Sequence, residues 1–99
     1  MDKKLKMKWV KALESGRYLQ GRGQLSLRRP HEETKYCCIG VLREIIEPRA
    51  RYSTEETSLL EGEHHRIANL SNAKSNRLAG MNDSGKTFRQ IAAWIRKHL

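Results

Sequence analysis

One stretch of this 99-residue chain constrains the fold more than any other. Tyr36-Cys37-Cys38-Ile39-Gly40-Val41-Leu42-Arg43-Glu44-Ile45-Ile46 is its most apolar run. Cys38, Val41, Leu42, Ile45 and Ile46 fall on one helical face, and Pro48 ends the segment. With 37% hydrophobic and 31% charged residues, the chain has little else to bury. This run is therefore expected to be the central buried helix, entered from a short strand at Lys35–Cys37. Gly40 costs up to ~1 kcal/mol of helix propensity relative to Ala, so its presence implies the close approach of another element.

The remaining elements arrange themselves around that helix. Asp2 caps a first helix over Lys3–Glu14, which Ser15-Gly16 stops. Leu5, Trp9 and Leu13 form its apolar stripe, while Lys4, Lys8 and Lys11 form a basic stripe at i, i+4, i+7. Within residues 17–35, Gly21 and Gly23 break any helix, Gln24–Arg28 alternates like a half-buried strand, and Pro30 ends it. Residues 49–67 are polar and acidic, with a short helix starting near Ser53-Thr54-Glu55-Glu56 and a turn at Glu61-Gly62-Glu63. A third helix runs through Ala73–Ala79 and ends at Gly80. The last helix begins at a capping box, Thr87-Phe88-Arg89-Gln90. It keeps Phe88, Ile91, Ala92, Ile95 and Leu99 on one face, with Trp94 off that stripe. The expected fold is a single α+β domain, helix-dominated, with about four helices and a small β-hairpin. In it the central helix packs between the first and last helices.

Charge narrows the function. The 20 Lys and Arg outnumber 11 Asp and Glu, giving +9 and a pI near 10.0. Residues 1–35 carry +6, residues 36–65 carry −3 and residues 66–99 carry +6. This excludes a neutral structural module and a binder of cations, and favours an anionic partner. If the terminal helices lie side by side, their outer faces form one positive surface. No apolar run approaches the ~18 residues of a membrane span, and the N-terminus lacks the apolar core of a signal peptide. Cys37 and Cys38 are neighbours, too close for an unstrained disulfide, so a reduced, cytoplasmic protein without a membrane partner is expected.

Several motifs fail on physical grounds. Gly80–Thr87 fits the phosphate-loop pattern G-x-x-x-x-G-K-T, which needs a strand before it and a metal-binding Asp on a later strand. Here a polar helix precedes it, and only twelve residues follow. Thr87–Leu99 resembles the first helix of a helix-turn-helix, but no recognition helix follows. Cys37-Cys38 and His64-His65 lack zinc-site spacing, since adjacent side chains point apart. The thiols read as small core side chains, and no acid–base pair or triad is evident. Neither an enzyme nor a bound cofactor or metal is expected.

Three segments together resemble a widespread group of small phage and prophage proteins without assigned activity. They are Trp9–Tyr18 with Gln20-Gly21-Arg22-Gly23, Tyr36–Leu42, and Met81–Phe88 leading into Ile91-Ala92. That group commonly has Leu at the place of Ile39 and Cys at the place of Arg43, and the second departure weakens a metal or redox role. The resemblance implies a phage origin and supplies no catalytic residues. The expected function is a non-enzymatic accessory protein binding a host protein or nucleic acid in the host cytoplasm, in host takeover or counter-defence. Lys4, Lys8, Lys11, Arg17, Arg22, Arg28 and Arg29 would make the contact. The alternative is a sequestering protein for a phosphorylated ligand, held at a turn formed by Asn82, Ser84, Gly85, Lys86 and Thr87 ahead of the last helix.

Overall fold

The computed structural model describes residues 1–23, 25–27, 33–48, 60 and 62–99. Among them the chain forms α1 (Lys3–Glu14), β1 (Leu19–Gln20), β2 (Ser26–Leu27), β3 (Lys35–Tyr36), α2 (Cys38–Ile46), α3 (Gly62–Ala68), α4 (Asn72–Asp83) and α5 (Phe88–His98). The helix-dominated α+β class is as expected. Five helices stand where about four are expected, because Gly62 and Glu63, read as part of a turn, open α3. The helix expected near residues 53–56 lies outside the described residues.

The sheet is more than a hairpin. β3 is central, parallel to β1 (Leu19 opposite Lys35, Gln20 opposite Tyr36) and antiparallel to β2 (Ser26 opposite Tyr36, Leu27 opposite Lys35). Two-residue strands cannot hold a sheet alone, so their geometry is fixed by what they lie against. The amide of Cys37 donates to Leu25 O at 3.2 Å, and that of Gly21 donates to Tyr36 O at 2.7 Å. Gly40 is where α2 meets β2: a Cβ there would overlap the Leu25 carbonyl oxygen and lie 2.6 Å from its carbon. The close approach implied by a glycine inside a helix is thus to the backbone just ahead of β2.

Helix packing departs from the expected order. α1 and α5 pack directly against each other, and α2 packs on α1, α3 and α4 instead of between the two terminal helices. The reason lies in how much of each surface needs cover. α2 is buried without interruption from Cys38 to Arg43 and must be covered on several sides. α1 and α5 bury one stripe each, Trp9, Val10 and Leu13 on one and Phe88, Ile91, Ala92 and Ile95 on the other. Two single stripes satisfy each other. The Nε1–H of Trp9 also donates to Cys38 O at 2.8 Å, tying α1 to the start of α2.

Both predicted caps form. Asp2 accepts from the Leu5 amide at 3.0 Å, and Thr87 and Gln90 exchange the two bonds of a capping box. α4 continues through Gly80 to Asp83, three residues beyond its expected end. One glycine costs a helix less than tertiary bonds on its last turn return, and Asn82 supplies such bonds. Trp94, off the α5 stripe, is half-buried against α4, with the Arg77 guanidinium 5.7 Å from its ring centre and the His98 ring at 4.6 Å.

Candidate functional site

The loop at residues 20–23 and the turn at 82–87, read separately from the sequence, meet in space. Asn82 is fully buried at their junction. Its Nδ2 donates to Gly21 O at 2.7 Å, and its Oδ1 accepts from the Cys38 amide at 3.1 Å and from Gln20 Nε2 at 3.0 Å. Gln20 Nε2 also donates to Lys86 O at 2.7 Å, Arg22 Nε donates to Asn82 O at 3.3 Å, and the Gly23 amide donates to Asp83 Oδ1 at 2.9 Å. The end of α4 is thereby bonded to β1, to the loop after it and to the first residue of α2.

That arrangement decides what the turn can offer. The amides of Ser84, Gly85 and Lys86 donate to Gly80 O, Asn82 O and Met81 O, and the Thr87 amide donates to Gln90 Oε1. Gly85, at φ +106°, closes the turn into α5. Of the residues named for a phosphorylated ligand, Asn82 has its side chain inside the protein, and Ser84, Gly85, Lys86 and Thr87 lie on the surface with their amides engaged. The role of Asn82 was missed because turn chemistry hid it. A signal was present: Ser75, Leu78, Ala79 and Asn82 recur at i, i+3, i+4, i+7 and are the buried face of α4.

The basic residues divide into three groups. Lys4, Lys8 and Lys11 are exposed on α1. Their spacing sets them about half a turn from the buried Trp9, Val10 and Leu13. Among the described residues none of the three lies within ion-pair distance of a carboxylate. Arg17 is exposed just beyond α1, and Arg22 is exposed but anchored through its Nε to the 82–87 turn. Arg28 and Arg29 lie outside the described residues. On α5, Arg96 Nη2 donates to Glu14 Oε1 at 2.7 Å, a bond that holds the Glu14 carboxyl below its ordinary range. α5 thus brings basic side chains against the C-terminal end of α1.

The cysteines and histidines do not converge. Cys37 caps α2, its Sγ accepting from the Gly40 amide, and Cys38 Sγ donates to Leu78 O. Both are free and buried, and burial pushes both thiols above their ordinary range, Cys38 the further. His64 Nε2 contacts Glu47 Oε2 at 2.6 Å, at the opposite end of α2. No group of three His, Cys, Asp or Glu side chains is placed to hold a metal ion among the described residues. Arg43, buried at 6% exposure, donates from Nη2 to Ser26 Oγ at 3.0 Å and links α2 to β2. No described helix is long and apolar enough to cross a membrane.

Fold and surface together define a small helix-rich α+β domain with a lysine face on the exposed side of α1. Residues 1–70 match the family model described as Domain of unknown function (DUF8296), and the chain belongs to that family. No curated protein and no solved structure matches it. The matched span covers α1 to α3, whereas Asn82 and the whole of α5 lie beyond it.

Proposed function

We propose that the protein is a non-enzymatic accessory protein of phage type, acting in the host cytoplasm, that docks a basic surface on an acidic partner, a host protein or nucleic acid. The observation that carries this reading is the lysine stripe of α1. Three exposed ammonium groups lie on the face opposite the buried stripe, with no described carboxylate within ion-pair distance of them. The side-by-side packing of α1 and α5 supports it by joining the two basic ends of the chain. Charge of this kind acts mainly through steering and counterion release. The 82–87 turn has less to offer a phosphorylated ligand, since four of its amides are already engaged.

The test is affinity capture from host lysate with the wild type and with a Lys4→Gln/Lys8→Gln/Lys11→Gln variant, with and without nuclease. The expected result is a partner held at low salt and lost from the variant. For a nucleic-acid partner, three displaced counterions give a log–log salt slope of about −2.7, or roughly a 40-fold loss between 50 and 200 mM salt. Equal capture by both proteins at both salt concentrations would overturn the reading.

A further inference from the structure

The lysine face is not uniformly polar. Met7 is half-exposed and has Lys3, Lys4, Lys8 and Lys11 at i−4, i−3, i+1 and i+4. Together with Asp2 these residues line a shallow depression of about 600 Å³. The single carboxylate there, Asp2, is engaged on the Leu5 amide. The lining thus combines one thioether with the aliphatic stems of four lysines, side chains that keep their ammonium heads in water. Resting on the reading that this surface docks an anionic partner, we infer that the partner is an acidic amphipathic protein segment. It would set an apolar side chain on Met7 and carboxylates against Lys4, Lys8 and Lys11.

Three features favour such a segment over a nucleic-acid backbone. The lining contains no arginine for bidentate contact with phosphate, and it has no aromatic ring, asparagine or glutamine to stack on or read a base. A phosphodiester gains nothing from an exposed thioether, whereas methionine adapts its shape to a partner's apolar side chain. The spacing also matches. Lys4 to Lys11 spans about 10 Å along α1, the same rise as carboxylates at i, i+4 and i+7 on a facing helix.

The experiment uses the full chain and three kinds of probe, read by fluorescence anisotropy and by amide chemical-shift mapping. The first is a panel of labelled 15-residue helical peptides with glutamates at i, i+4 and i+7 and Leu, Met or Phe between them. The second is the same panel with Ser at the apolar position, and the third is a 15-base-pair DNA duplex. Peptides with the apolar residue are expected to bind with shifts centred on α1. Binding should weaken roughly 5- to 10-fold with the Ser peptides or with Met7→Ser, and be lost with Lys4→Gln/Lys8→Gln/Lys11→Gln. Unchanged thermal unfolding of each variant would show that the fold is intact. Duplex binding that needs the lysines but ignores Met7→Ser would overturn this inference and leave the docking reading standing. No shift on α1 with any anionic probe would overturn both.

Discussion

Gly40 and Asn82 carry structural demands that no other residue type would meet at their positions. In Gly40→Ala the new methyl group meets backbone, the Leu25 carbonyl, which cannot swing aside as a flexible side chain would. The expected loss is about 3 kcal/mol or more, measured by urea denaturation. Asn82→Ala removes three hydrogen bonds and strands the buried Cys38 amide. Its expected cost is about 2–4 kcal/mol, with increased amide exchange at Gly21 and Cys38 as the local signature. The thiols make an opposite kind of prediction. Cys37 and Cys38 are buried and their pKa values are raised, and only the thiolate is reactive. A thiol reagent at pH 8 should leave both unmodified in native protein and label both in denaturant. Rapid labelling of native protein would contradict the packing described.

Between elements, the α1–α5 pairing joins an apolar seam to one ion pair across it. Glu14 titrates below its ordinary value of 4.5, chiefly through its hydrogen bond to Arg96 and further through the charges of Arg96 and Arg89. The folded protein therefore binds that proton less readily than the unfolded chain. The stabilisation is fully present above pH 4.5 and is lost as the pH falls below that value through the folded pKa. Glu14→Gln should lower the melting temperature slightly near neutral pH and flatten its decline between pH 5 and pH 3. α1 and α5 were legible because each writes its own stripe and cap. α3 was not, since seven residues opening on a glycine with one buried side chain give little periodicity to read. The end of α4 was misplaced for a related reason: the bonds that prolong it past Gly80 come from residues about sixty positions away.

For the molecule as a whole, the matched span ends at residue 70, but the core does not. Trp9, Val10 and Leu13 share one core with Phe88, Ile91, Ala92 and Ile95 of α5, and the Cys38 amide is satisfied by Asn82 of α4. A chain truncated after Leu70 should show no cooperative unfolding transition. Its Trp9 emission should be that of a solvated indole, whereas the full chain buries Trp9 completely. A cooperative melt of the truncated chain would show that α4 and α5 are accessory to the core. Neutralising Lys4, Lys8 and Lys11 should instead leave stability within about 0.5 kcal/mol, because surface positions without partners contribute little.

The sequence by itself determined the class of fold, the two capped terminal helices, the burial of the cysteine-bearing helix and the excess of positive charge. Those properties are carried by periodicity, caps and composition, which act over a turn or two of chain. Only the tertiary structure decided that β3 lies between β1 and β2, that α1 faces α5, and that Asn82 is a buried clamp. Each of these depends on which distant backbone groups lack partners once the helices have packed, and no local pattern records that.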